Sequence, residues 1–212
     1  MVHEDAGPTR LWRRSDRVTT SLLALSVSSN NIKYLTMFLV GRIKMKFTIE
    51  NKPAFKMFGL ERIFSMEDGQ NFMDIPAFWQ ECFSNGSVEA LEKVSGINVT
   101  DDYEGLLPVN AIMGYKETGD NTLPYMIGCL MQEASNPTGY DVVEIPALKW
   151  GVFTTEPFRI ENTSDAVQDL WKRIFTEWLP SSKYIMAEGA QLEMYYNDKG
   201  TEEFCEIWIP MK

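Results

Sequence analysis

The clearest periodic pattern in the chain lies between residues 165 and 180. Its hydrophobic residues recur at i, i+3, i+4, i+7 and i+8, which predicts a helix with one buried face. They are Val167, Leu170, Trp171, Ile174, Phe175 and Trp178. Residues 162–165 offer N-cap oxygens, and Pro180 is expected to end the helix. We expect Trp171 and Trp178 to be core residues.

Other segments predict two more helices and two pairs of strands. One helix is predicted over residues 70–84, with Pro76 in its first turns, and a short one over 88–95. Alternating polar and apolar stretches predict strands, and each pair is joined by a turn rich in Gly, Asn and Asp. The pairs are 109–116 with 123–132, and 190–196 with 203–210.

These elements form two copies of one pattern, about 45–135 and 140–212. Residues 53–57 (PAFKM) match 146–150 (PALKW), and Trp79 and Phe83 match Trp171 and Phe175, both at i, i+4 spacing. Each copy orders strand, helix, strand, strand. We therefore predict an α+β fold of duplicated β-α-β-β units with pseudo-two-fold symmetry. Helices would cover one face of an antiparallel sheet, and a central ligand cleft would form where the units meet.

The charge of the 212-residue chain is −10 and unevenly distributed. Residues 1–44 hold seven basic and three acidic residues, so the remaining 13 basic and 27 acidic residues give residues 45–212 a net charge of −14. Such an acidic surface repels phosphate, so we expect no direct nucleic-acid binding and favour a cationic ligand. We predict that residues 1–44 are a leader outside the fold, and their apolar runs are too short for a membrane span.

The single histidine, His3, limits the chemistry of the main body. A Ser-His-Asp or Cys-His nucleophile cannot be assembled there, and imidazole zinc sites are excluded. We find no P-loop, GxGxxG or metal-ligand cluster, so we expect no cofactor and no metal. Three scattered cysteines are interpreted as buried thiols in a reducing compartment, which favours a cytoplasmic protein.

A lone carboxylate in an apolar strand is the strongest candidate for a site. Strand alternation puts Leu192 and Met194 on one face, expected to be the helix-packed one, and Gln191, Glu193 and Tyr195 on the free face. In the first copy Met113 stands where Glu193 does, and Tyr115 corresponds to Tyr195. Two interpretations stay open: a cation-binding or catalytic carboxylate in an aromatic cleft, or an exposed glutamate on a solvated sheet face.

Residues 45–212 resemble the GyrI-like family, the effector-binding domain of AraC-type and MerR-type multidrug regulators. The resemblance rests on the duplicated order, on residues 75–79 (IPAFW), on strand 192–195 (LEMY) and on the closing 207–210 (IWIP). It implies that Glu193 lies at the floor of the cleft, where it meets cationic, aromatic ligands. We recognise none of the DNA-binding domain of those regulators, so the chain looks like a stand-alone member.

The remaining ligand-binding candidates are mostly aromatic. Aromatic faces around a carboxylate suit a flat cation. The candidate wall residues of the cleft are Tyr195, Tyr115, Trp150 and Trp208, and Met113 and Trp79 are further candidates beside them.

Three functions remain open from the sequence. The first is binding of a small hydrophobic, cationic or planar drug-like ligand, linked to transcription regulation or to a drug or toxin response. The second is hydrolysis of cyclopropanoid-type electrophilic toxins, with Glu193 as catalytic general base and Tyr115 or Tyr195 as hydrogen-bond donor. The third is an interaction module that sequesters a protein partner, as a gyrase inhibitor does, or that acts through a separate DNA-binding partner.

Overall fold

The computed structural model describes residues 45–97, 105–198 and 202–212, and the predicted leader over 1–44 lies outside them. The strands are β1 (Lys46–Lys52), β2 (Phe55–Ser65), β3 (Asn110–Met113), β4 (Thr122–Leu130), β5 (Asp141–Ile145), β6 (Leu148–Thr154), β7 (Gln191–Asp198) and β8 (Glu202–Met211). The helices are α1 (Asn71–Ser84), α2 (Ser87–Val94), α3 (Thr163–Arg173) and α4 (Leu179–Ser181), with a π-helical turn, Ile174–Trp178, between the last two. None of these helices is long and apolar enough to cross a lipid bilayer.

All eight strands form one antiparallel sheet in the order β1-β6-β8-β7-β3-β4-β2-β5. Strands β1–β4 belong to the first copy and β5–β8 to the second. When each strand is replaced by its counterpart in the other copy and the order is read from the opposite end, the same order results. The duplicated α+β fold with pseudo-two-fold symmetry is therefore confirmed. Each copy has one strand more than predicted. This additional first strand pairs with a strand of the other copy: β1 with β6, and β5 with β2. The matched prolines Pro53 and Pro146, which cannot donate to a ladder, lie in the breaks that separate these extra strands.

The pseudo-two-fold axis passes through the centre of the sheet, between β3 and β7. Ile112 lies opposite Leu192, and the flanking pairs are Ala111 with Glu193 and Met113 with Gln191. This register makes Met113 the structural equivalent of Glu193, as the sequence repeat predicted.

The helices pack on one face of the sheet, in two hydrophobic clusters. Phe78 and Cys82 of α1 lie in one cluster with Ile127 of β4, whereas Val167 and Leu170 of α3 belong to the other. The two clusters bury the helical stripes recognised in the sequence. Between the two clusters, Met113 of β3 and Glu193 of β7 line a cavity on the helix side of the sheet.

The opposite face of the sheet is also a core, which the sequence analysis did not predict. The ring centroids of Phe55 in β2 and Trp208 in β8 are 6.4 Å apart, although β7, β3 and β4 separate their strands in the sheet. The sheet must therefore curl until its two halves meet. Its concave side buries Trp150 and Leu192 completely without help from a helix.

The end of the second-copy helix differs from the prediction. The helix does not stop before Pro180, because α3 continues through the π-helical turn into α4, whose first turn contains that proline. Pro180 has no amide hydrogen to donate, and the helix ends one residue later, at Ser181. Phe175, which the periodicity places on the buried face, is 41% exposed and stacks on Trp171. Asn162 makes no side-chain capping bond.

Candidate functional site

Glu193 is the third residue of β7, and its side chain points towards the helices. Its side chain is buried, with 7% of the residue exposed. Its Oε1 accepts a hydrogen bond from Nε1 of Trp171 in α3 at 2.7 Å. Its Oε2 accepts from the hydroxyls of Tyr195 at 2.9 Å and Tyr125 at 3.1 Å. The carboxylate is therefore held by three neutral donors from α3, β7 and β4.

The network extends to the helix of the first copy. Nε1 of Trp79 in α1 donates to the hydroxyl oxygen of Tyr125 at 2.8 Å. The two tryptophans matched in the sequence repeat thus approach one carboxylate from opposite sides, one directly and one through a tyrosine. Each is stacked on the phenylalanine four residues later, Trp79 on Phe83 and Trp171 on Phe175. The duplication has therefore placed an equivalent Trp–Phe pair on each side of a carboxylate that only the second copy supplies, since Met113 is its counterpart in the first.

Burial governs the acid–base properties of this network. It raises the pKa of Glu193, and the hydrogen bonds from Trp171, Tyr195 and Tyr125 oppose that rise. Burial, and next the charge of Glu193, raise the pKa of both tyrosine hydroxyls well above their usual value. Both tyrosines therefore keep their protons at neutral pH and act as donors.

A cavity of about 700 Å³, hereafter the main cavity, opens above this carboxylate between α1 and α3. Glu193, Tyr195, Met113 and Trp79 line it, together with Trp171. Three partly exposed apolar side chains, Met66, Phe72 and Phe175, also line it. A cavity of this size accommodates a drug-sized ligand, and a few polar or charged groups in a largely apolar lining are typical of such sites.

The structure corrects which face carries the carboxylate. The predicted alternation is present, with Glu193 and Tyr195 on one side of β7 and Leu192 and Met194 on the other. However, Leu192 and Met194 pack into the concave core, and the Glu193 side faces the helices. Because both faces of the sheet are apolar, alternation alone fixes which residues share a face and leaves open which face has helices.

Three of the expected wall residues lie away from the main cavity. Trp150 and Trp208 belong to the concave core, and Nε1 of Trp208 donates to Glu206 at 3.0 Å. Tyr115 packs against the same core, and its hydroxyl donates to Oε2 of Glu61 at 2.6 Å. The predicted strand over 109–116 ends early, because Gly114 adopts a left-handed φ of 63° that turns the chain before Tyr115.

Two members of the network were missed by sequence reasoning. Trp171 was assigned to the core, although it is only partly buried and contacts Glu193 directly. Its match to Trp79 in the repeat was the available signal. Tyr125 had no such signal, because its place opposite Met113 depends on the register of the predicted β3–β4 pair, which the pattern of the two segments does not specify.

Metal binding finds no support within the residues that the structure describes. No group of three or more His, Cys, Asp or Glu side chains is arranged there to hold an ion.

Comparison with known proteins places these features in a family. The model of a family described as "Integron-associated effector binding protein" matches residues 48–211. No curated protein sequence matches the chain.

Solved structures share the fold at low sequence identity. A protein of Staphylococcus aureus MU50, described as a candidate bacterial transcription regulation protein, has a TM-score of 0.57 at 18% identity, covering 79% of this chain and 99% of its own. SAV2435 bound to tetraphenylphosphonium has a TM-score of 0.58 at 18% identity, over 79% and 94%. An integron cassette protein of Vibrio cholerae has a TM-score of 0.51 at 14% identity, over 78% and 95%.

Proposed function

We propose that this chain, which belongs to the family of integron-associated effector-binding proteins, binds a hydrophobic organic cation in the main cavity, with Glu193 as its counter-charge. The observation that carries the proposal is a buried carboxylate, inside an aromatic cavity, that forms no ion pair with any described residue. Burying an unpaired carboxylate costs several kcal/mol. A bound cation supplies the missing charge and recovers part of that cost.

The aromatic frame favours the same ligand. The indole rings of Trp79 and Trp171 and the phenol ring of Tyr195 line the main cavity. A cation over such a ring gains about 0.5–2 kcal/mol, more where water is excluded. The three donors already occupy most of the roughly four acceptor positions of the carboxylate. The site therefore suits a cation with delocalised or shielded charge, which needs no hydrogen bond.

The same hydrogen bonds argue against hydrolysis as the main activity. A general base must direct a free lone pair at the water that it deprotonates. In Glu193 three neutral donors compete for those lone pairs and stabilise the ionised form. The geometry supports a fixed counter-charge better than a proton acceptor.

Tetraphenylphosphonium, the ligand of SAV2435, is a suitable probe because its charge is shielded by four aryl groups. We expect the full chain to bind it at least tenfold more tightly than triphenylphosphine oxide, a neutral molecule with three of the same groups, because only the cation gains the charge interaction. Isothermal titration calorimetry measures both affinities. Equal affinities, or no binding of the cation, would contradict the proposal.

Cation affinity is expected to depend on pH through Glu193. Because its pKa is raised, the affinity should begin to fall, as the pH decreases, at a pH above the ordinary glutamate pKa of about 4.3. The limiting slope is about tenfold per pH unit, since one proton competes with one cation. Titrations between pH 4.5 and 8 test this, and a flat profile would contradict it.

The other titratable groups around this carboxylate do not supply the same dependence. Burial raises the pKa of each neighbour on β4, β7 and β8, so these side chains stay neutral; they are Tyr125, Tyr195 and Cys205. The other charged residues of the cavity lining, Asp169 and Lys172, are exposed on α3. The Glu193→Gln variant serves as control, because its residual affinity should not change over this range.

A further inference from the structure

A second cavity, of about 510 Å³, lies on the far side of the wall formed by Trp79 and Tyr195. It is bounded by α1 and α2 on one side and by the ends of β7 and β8 on the other. The side chains of Trp79, Phe83 and Tyr195 give it an aromatic lining. It shares Trp79, Tyr195 and Thr163 with the main cavity, but Glu193 does not line it.

The pseudo-two-fold axis relates part of the lining of one cavity to part of the lining of the other. The main cavity is lined by the beginning of α1, by Trp171 and Phe175 near the end of the second-copy helix, and by the Met113–Gln191 end of the central strand pair. The second cavity is lined by Thr163 at the beginning of α3, by Trp79 and Phe83, and by Val109 and Tyr195, which lie just beyond the opposite end of that strand pair. The internal duplication has therefore placed an equivalent stacked Trp–Phe pair beside each cavity, while the rest of the two linings differs.

The charges of the second cavity differ from those of the main one. Glu92 of α2 and Glu203 of β8 line it and are half-buried, and the exposed Glu89 and Lys93 of α2 line it too. Within the described part of the chain, neither carboxylate forms an ion pair or accepts a hydrogen bond, whereas Glu89 is paired with Lys93 at 2.8 Å. Burial raises the pKa of both Glu92 and Glu203, as expected for carboxylates with no compensating partner.

This difference determines which ligand each cavity suits. In the main cavity three donors already occupy Glu193, so little acceptor capacity remains. In the second cavity the carboxylates of Glu92 and Glu203 keep their lone pairs free for a ligand. A charged N–H donor bound to a carboxylate forms one of the stronger hydrogen bonds in proteins. The aromatic lining accommodates an apolar body attached to that group.

We propose that the second cavity is a separate binding site for a protonated amine with an aromatic body, recognised by the carboxylates of Glu92 and Glu203. The site is distinct from the Glu193 site in both position and chemistry. One chain can therefore hold two different cations at once, on opposite sides of the Trp79–Tyr195 wall.

Calorimetry with 2-naphthylmethylammonium as probe tests the proposal on the full chain. We expect the wild type to bind it, and the Glu92→Gln/Glu203→Gln double variant to bind it at least tenfold more weakly, because both acceptors lose their charge. The Glu133→Gln/Glu188→Gln double variant is the control. It removes the same net charge at exposed positions outside both cavities, and its affinity should stay within about twofold of the wild type.

Two further measurements separate this site from the Glu193 site. The Glu193→Gln variant should bind the amine within about threefold of the wild type, because its altered residue lies outside the second cavity. Wild type saturated with tetraphenylphosphonium should still take up one amine per chain. The proposal is overturned if the wild type does not bind the amine, if the Glu92→Gln/Glu203→Gln variant binds it unchanged, or if tetraphenylphosphonium displaces it. Because the amine is measured on its own, failure of phosphonium binding leaves this result interpretable.

Discussion

The Glu193→Gln variant is expected to lose about 100-fold in affinity for tetraphenylphosphonium. At about 5 Å and an effective dielectric constant of about 20, the attraction between two unit charges is about 3 kcal/mol, which corresponds to roughly two orders of magnitude in Kd. Calorimetric titration of wild type and variant measures this directly. Triphenylphosphine oxide should bind both proteins similarly, because it carries no charge.

Folding should tolerate the substitution. The glutamine oxygen can accept the bond from Trp171, while its amide group donates to the hydroxyl oxygens of Tyr195 and Tyr125. Because burial raises the pKa of Glu193, the ionised carboxylate destabilises the folded state at neutral pH. The melting temperature of the variant at pH 7 should therefore equal or exceed that of the wild type, and the difference should shrink as the pH falls towards the pKa of an unfolded glutamate.

Glu206 provides a matched control on the other face of the sheet. Its Oε2 accepts hydrogen bonds from Nε1 of Trp208 at 3.0 Å and from the hydroxyl of Tyr196 at 3.1 Å, much as Glu193 is held by a tryptophan and tyrosines. Glu206 does not line the main cavity. The Glu206→Gln variant removes the same charge and should keep wild-type affinity. An equal loss in both variants would mean that net charge, rather than a site at Glu193, attracts the cation.

The repeat, the strand pairs and the sharing of faces were predictable because they depend on local periodicity. The matched Trp79 and Trp171 needed only the spacing of two helices, and the equivalence of Met113 and Glu193 needed only a shared strand pattern. Both follow from the 3.6-residue and two-residue repeats of regular structure.

Which face of the sheet the helices cover was not predictable from local periodicity. It depends on the curl that brings Phe55 to Trp208 across three intervening strands. That curl is a property of long-range packing, and it moved Trp150 and Trp208 into a core of their own. The position of Tyr115 depends on one backbone torsion, the positive φ of Gly114. Such a torsion is permitted by glycine but not imposed by it.

Because Met113 is the structural equivalent of Glu193, a lysine substituted at this position would place a cation of the protein itself in the main cavity. Met113 is 7% exposed and lines the main cavity. It lies diagonally across the strand pair from Glu193, and residues in such diagonal positions are typically separated by about 7–8 Å. In the Met113→Lys variant the introduced ammonium can reach the carboxylate and occupy the cavity. We expect affinity for tetraphenylphosphonium to fall at least 100-fold, because the counter-charge is neutralised and space is lost.

A double-mutant cycle distinguishes this pairing from simple obstruction. Met113→Leu, which keeps an apolar side chain of similar volume, should bind the cation within about threefold of wild type. In the Glu193→Gln background the introduced lysine has no counter-charge, and a buried unpaired ammonium costs about 3 kcal/mol or more. The Met113→Lys/Glu193→Gln variant should therefore melt about 10 °C below Met113→Lys alone. Equal melting temperatures would show that the lysine does not pair with Glu193, and undiminished cation binding by Met113→Lys would show that the ligand lies elsewhere.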